Sequence, residues 1–530
     1  MIRYFIPIAL VFINFTCQSQ PIKPAVKDWH LLDYKKDGYR GISLAQAYEL
    51  LKNKKSETVI VAVIDSGIDT LQDDLKPIFW KNPIEIPNNI DDDKNGLVDD
   101  IIGWNYLGGS NLENLSISVP EPYRTYHRFK NTFENKKEKN ISKEDVFTYK
   151  EWKRSEKLII DNYESAIKEI DGINQNFAII IKTNEYLIKY LKKESFKKAD
   201  LVNLSTTTSD SALLSKRVWL NIFGDEDFVS IDFVKDYESY KKELEEKITF
   251  KTTIPVDYRG KLLKDDGYKI ENKNYGNNNL QTYSGYHGTS VSSIIGAIRN
   301  NGKGVDGIAD NVRIMMIRAG LGKDEYDKDI AIAIRYAVDN GAKVINISLG
   351  KPVSPDKKWV DEAVTYALSK DVVIVHASGN DAQNIDVDFN YLNGFKIDGT
   401  RLPNFLNVSA SGDKSNGGLV APFSNYGKKM VDIFAPGVDI NCAIANNGTQ
   451  LSSGTSMASP VAAGIAVLLR SYFPKLSATQ IVEIIKKSGV EINEDVILPA
   501  TKDKKVAFKK LSDSGKIVNA YEAVKIALTY

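Results

Sequence analysis

Cysteine is almost absent: Cys17 and Cys442 are the only two in 530 residues. With Cys17 lipidated or cleaved away, no internal disulfide can form even in an oxidising compartment, so stability must come from the core, with a bound ion one further candidate. Charge of one sign is lacking too. Lys plus Arg (70) balance Asp plus Glu (69), a formal +1, which gives neither nucleic acid nor an anionic membrane surface a reason to bind. Long apolar runs are missing. Tyr4 to Phe15 is the longest candidate, too short to cross a bilayer. Histidine is scarce, with only His30, His127, His287 and His376. What remains is ordinary for a folded enzyme: 42% hydrophobic and 26% charged residues, enough for a sizeable core.

Thr58 to Ile64 is a continuous β-branched apolar run, which reads as a strand buried on both faces of a parallel sheet. It ends in Asp65-Ser66-Gly67, placing a carboxylate at the strand's C-terminal edge, where open α/β sheets bind ligands. An isolated Asp-Ser-Gly is more often a plain turn. His287-Gly288-Thr289 opens the helically spaced stretch Val291 to Ile298. Ser456 lies in Gly454-Thr455-Ser456-Met457-Ala458-Ser459-Pro460, just before the apolar helix Val461 to Leu469. A glycine turn at a helix start presents a hydroxyl to unpaired N–H groups and a favourable dipole. A lone serine there is commonly an N-cap. Three such placements together suggest an acid, a base and a nucleophile.

These blocks, in the order Asp, His, Ser, resemble the subtilisin-like serine proteases. Two further stretches resemble the same family. Val372 to Val375 leads into Ala377-Ser378-Gly379-Asn380, and Phe423 to Gly427 with Phe434 to Gly437 precedes the serine. The likeness covers roughly residues 40–110 and 283–530. It implies a doubly wound α/β fold, a mostly parallel sheet with helices on both faces, and a serine endopeptidase acting on proteins or peptides. By position it assigns Ser456 as nucleophile, His287 as general base, Asp65 as its orienting carboxylate and Asn380 as oxyanion donor. Asn380 also suits a turn after Gly379. Asn346-Ile347-Ser348-Leu349-Gly350 resembles the strand that pairs with an extended substrate, making Ser348, Leu349 and Gly350 the substrate-binding candidates.

The chain departs from that family between Asp65 and His287, which lie 222 positions apart. Ile101 to Tyr106 resembles the strand that normally leads to the histidine block, so the extra material lies within 112–275. Leu158, Ile159, Tyr163, Ile167, Ile170, Ile173 and Phe177 recur at helical steps, and a second helix is expected over Phe228 to Ile248. The organisation expected is 1–17 as export signal, 18–111 as the first part of the catalytic domain, 112–275 as a largely helical insertion, and 276–530 as the remainder. The insertion is either a surface elaboration or a lid, exosite or built-in inhibitor.

Before it, Asp91, Asp93, Asn95, Gly96 and Asp99 follow the first part of a calcium loop, but position 12 is Ile102 rather than a glutamate. Structural Ca2+ held by Asp91, Asp93, Asn95 and Asp99 is one reading, with Asp100 a further candidate ligand; an acidic turn is the other. Cys17 after the short apolar stretch resembles a bacterial lipoprotein cleavage site, while Asn14-Phe15-Thr16 departs from the usual small-residue box. The protein is thus expected to be exported, to the cell envelope through a lipid on Cys17 or as a soluble secreted form, and monomeric. Cys17 and Thr58 are too close in sequence to hold the inhibitory prodomain of many secreted relatives, and no binding or sorting domain is expected after the terminal helix near Ala520. Alternative functions are a catalytically inactive binding protein on this scaffold, or a processing protease of narrow specificity gated by the insertion.

Overall fold

The computed structural model describes residues 26–204, 209–224, 228–281, 286–322, 324–413 and 417–530. Tyr4 to Phe15 and Cys17 lie outside them, so the export and lipid-anchor expectations have no structural counterpart. Among the described residues no helix is long and apolar enough to cross a membrane.

Nine strands form the central sheet: β1 (Val59–Asp65), β2 (Gly103–Asn105), β3 (Val312–Arg318), β4 (Val344–Ile347), β5 (Val373–Ala377), β6 (Phe405–Ser411), β7 (Ile433–Pro436), β8 (Val490–Glu491) and β9 (Lys516–Ile517). Their order is β8-β9-β7-β6-β5-β4-β1-β3-β2, parallel throughout except between β8 and β9. β1 sits between β3 and β4, so both its edges are paired, and both faces are covered. Val59, Val61 and Val63 join one apolar cluster while Ala62 and Ile64 join the other. That is the period of two expected of a strand between two helical layers.

One layer holds α1 (Leu44–Leu51), α6 (Tyr286–Gly296), α9 (Thr455–Tyr472), α10 (Ala478–Ser488) and α11 (Ala520–Ala527). The other holds α7 (Asp327–Asp339) and α8 (Lys357–Ser369). This is the doubly wound α/β architecture anticipated above.

Between β2 and α6 lie α2 (Glu121–Phe133), α3 (Val146–Leu191), α4 (Asp210–Phe223) and α5 (Ser230–Thr249), all within 112–275. Helix α3 starts well before Lys157, because Tyr149 and Trp152 bury against Phe133 at its foot. With 46 residues it is about 69 Å long. Its far end shares a separate core with α4 and α5, including Leu187, Trp219, Phe223 and Tyr237. The Trp219 indole N–H donates to Thr183 Oγ1 at 3.1 Å within that core.

Candidate active site

Asp65 ends β1, and Ser348 and Asn380 follow the C-terminal ends of β4 and β5 in the same sheet. Close backbone approach brings the histidine to the aspartate: a Cβ on Gly288 would stand 2.1 Å from the Gly67 carbonyl oxygen, so only glycine lets α6 start here. His287 Nδ1 lies 2.7 Å from Asp65 Oδ1, and Asp65 is fully buried. The same carboxylate oxygen accepts from the Ser66 backbone N–H at 2.7 Å. Because a carboxylate only accepts, Nδ1 carries the proton and Nε2 is left as the basic nitrogen. Burial works against the imidazolium, but the negative charge of Asp65 and its hydrogen bond outweigh it, holding His287 above the usual imidazole value.

The other three histidines are differently placed. Burial pushes His30 down to about 3 and His376 down to about 4, and His376 is held by the Leu349 carbonyl and the Asn407 side chain. His127 lies 2.7 Å from the Phe250 carbonyl, inside the insertion.

Ser456 stands in the first turn of α9, and a feature of that helix explains its setting. Pro460 has no N–H, so the Ser456 carbonyl loses its intrahelical donor. The Ser348 hydroxyl supplies one instead at 3.1 Å. In return the Ser456 hydroxyl donates to the Ser348 carbonyl at 3.3 Å. Asn346 completes the seat, donating to Ser348 Oγ at 3.0 Å and accepting from Ser459 Oγ at 2.7 Å. Among the described residues, Ser456 makes no hydrogen bond to His287; its hydroxyl rests on β4's extension.

Asn380 is exposed, with its side chain anchored at one end only. Its Oδ1 accepts from Thr455 N at 2.8 Å and Thr455 Oγ1 at 2.9 Å, which leaves Nδ2 as the end turned from Thr455. Gly379, at φ +103°, permits this bend, and its N–H donates to Thr455 Oγ1 at 3.1 Å. Thr455, Asn346 and Ser459 were not singled out by sequence. Their roles depend on a contact between β4, β5 and α9 that no local motif encodes.

Leu349 and Gly350 continue β4. A Cβ on Gly350 would meet Asn390 Nδ2 at 3.0 Å, so the Asn390 side chain closes the space beside this glycine. Behind it lies a cavity of only about 20 Å³, floored by Asp327, Lys351 and Asp361.

The acidic loop holds its carboxylates in two kinds of contact. Asp93 joins Glu85 and Asp100, whose carboxylate oxygens lie within 4.8 Å of one another. Asp91 instead accepts from the N–H groups of Asn95 and Gly96, and Asp99 from those of Asn88 and Asn89. Asn95 donates to Asp93 and Asp100 through its side-chain amide. Burial raises Asp100 to about 6. Three converging carboxylates offer hard oxygens of the kind calcium takes.

A mostly parallel sheet flanked by two helical layers, with a buried carboxylate bonded to an imidazole and a helix-start serine at its C-terminal edge, defines the class as doubly wound α/β. Residues 56–512 match the profile of the Subtilase family, and the chain belongs to that family. Over 217 residues it is 39% identical to a thermophilic serine proteinase of Bacillus sp. (strain AK1), covering 41% of this chain and 48% of that protein. Over 242 residues it is 37% identical to a cell wall-associated protease of Bacillus subtilis (strain 168), covering 45% and 24% respectively. Over 208 residues it is 33% identical to alkaline elastase YaB of Bacillus sp. (strain YaB), covering 39% and 50%. The chain thus spans half or less of the length of each of these relatives.

Proposed function

We propose that the protein is an exported serine endopeptidase using Asp65, His287 and Ser456, with Asn380 as oxyanion donor. The observation that carries this reading is the 2.7 Å Asp65–His287 hydrogen bond, which leaves Nε2 as the base in a chain of the Subtilase family. Ser456 Oγ turns from the Ser348 carbonyl to Nε2, gives up its proton there and attacks the peptide carbonyl carbon. The tetrahedral oxyanion takes hydrogen bonds from Asn380 Nδ2 and the Ser456 N–H. His287 then returns the proton to the amine as the C–N bond breaks, and a water molecule repeats the sequence on the acyl-enzyme. A resting hydroxyl bonded elsewhere is compatible with this course, since such contacts commonly tighten only with substrate bound.

Calcium fits this reading as a structural ion held by Asp93 with Glu85 and Asp100, adding folded-state stability and taking no part in the reaction. Export is supported by the short apolar start of the chain and by the name of a relative called a cell wall-associated protease.

The test is labelling with a fluorophosphonate followed by peptide mapping, alongside casein hydrolysis. Label on Ser456, with both label and hydrolysis lost in Ser456→Ala and His287→Ala, is the expected result. Equal casein turnover by Ser456→Ala and the parent would sink the reading.

A further inference from the structure

The foot of the insertion is joined to the chain that follows the candidate substrate strand. Glu151, near the start of α3, is 3% exposed. Its Oε2 accepts from the Ser354 backbone N–H at 2.7 Å, and its Oε1 accepts from Tyr391 OH at 2.9 Å and Arg154 Nη1 at 3.0 Å. Arg154 also donates to the Pro352 carbonyl at 3.2 Å. Nearby, Glu121 of α2 pairs with Lys351 at 2.9 Å, and Lys351 Nζ lies 2.9 Å from Asp327.

These contacts converge on one short wall. Lys351 and Tyr391 exchange two backbone hydrogen bonds of 2.9 Å, tying the segment after Gly350 to the segment after Asn390. Asn390 Nδ2 donates to the Ser378 carbonyl at 2.9 Å, two residues before Asn380. The wall facing Gly350 therefore has the body on one side and the insertion on the other. A buried carboxylate with three donors is a rigid fixture, and removing it strands the polar groups it served.

We propose that Glu151 is a positioning residue for substrate binding: its carboxylate holds Tyr391 and Ser354, and through them the wall against Gly350. This rests on the endopeptidase reading above. The insertion then contributes to the cleft from a fixed foot. Cutting out the whole insertion would also take Glu121 from Lys351 and Arg128 from Asp356, so point substitutions are the sharper probe.

The experiment uses the full chain and two substrates: peptide anilides with a large side chain before the scissile bond, and p-nitrophenyl acetate, whose acyl group is too small to reach the wall. Glu151→Ala is expected to raise KM for the anilides about tenfold, as for a lost charge-assisted hydrogen bond. The kcat and the ester turnover should stay within about twofold, and Glu151→Gln, which keeps one of the two acceptor oxygens, should recover part of the loss. If Glu151→Ala does not fold, Tyr391→Phe removes only the hydroxyl that Glu151 holds and should show the same split at smaller size. An unchanged KM, or anilide and ester activities falling together, would overturn the inference. A parent protein that hydrolyses neither substrate would instead remove the endopeptidase reading, and the inference with it, before any variant is compared.

Discussion

Strand β1 buries six of its seven residues, whereas helix α3 buries ten of its 46. The sheet is held by apolar side chains packed on both faces, so little in it can move independently. The insertion is held in two ways. Its far end has its own aromatic cluster around Trp219, and its foot is fastened through buried charge pairs and polar contacts. Stability and chemistry are therefore expected to respond separately to changes in the two regions, except at the foot.

The sharpest break in that comparison is Asp65→Asn, which should cut kcat roughly 10⁴-fold by losing the Nδ1–H tautomer while leaving the insertion's melting unchanged by calorimetry. The same substitution has a pH signature. His287 sits above its ordinary value because of Asp65, so the acid limb of kcat/KM should lie above the usual imidazole pKa of about 6.5. In the variant that limb should move down. The protonated pair contributes stability fully below about pH 6.5, and that contribution is lost as pH rises through the raised folded value. Activity and this part of the stability should therefore run in opposite directions across the window.

Trp219→Ala is the mirror-image case. It should destabilise the distal cluster by about 3–5 kcal/mol, seen as an earlier transition in calorimetry, with kcat on small peptides retained. A kcat that fell with it would mean the two regions are one cooperative unit. Asn380→Ala should lower kcat by roughly 10²–10³ with little change in Tm, measured on a peptide anilide. The smallest effect concerns the acidic loop. EDTA should lower Tm by roughly 2–4 °C; Asp93→Ala should abolish the response and Asp99→Ala should keep it. The reverse pattern would favour the ligand set read from spacing, with Asp91, Asn95 and Asp99.

Much of this was legible because it is local. The β-branched run before Asp65, the glycine beside His287 and the apolar periodicity of the insertion each report their own surroundings. The start of α3 was less so, since Tyr149 and Trp152 are buried against Phe133, Tyr126 and Phe129 of a neighbouring helix. Glu85 lies outside the calcium-loop pattern, and Asp99 follows that pattern yet turns, at φ +54°, to serve two backbone amides. The Ser348–Ser456 exchange needs both a missing donor at Pro460 and a distant strand to fill it. Glu151 looks like any charged helical residue until Tyr391 and Ser354 are placed beside it.

Asn105 and Asn277 exchange backbone hydrogen bonds of 2.9 and 3.0 Å, and the Asn105 amide reaches Asn114, Asn277 and Asn279. The chain thus leaves the sheet and rejoins it through a single doorway, 172 positions apart in sequence. For a flexible loop, doubling or halving the length of chain between such gateposts changes the closure entropy by only about 0.6 kcal/mol. Closure at that point is nearly indifferent to how much polypeptide lies between the gateposts, so what the body owes to the insertion is set at its foot, by Glu121 on Lys351 and Glu151 on Ser354.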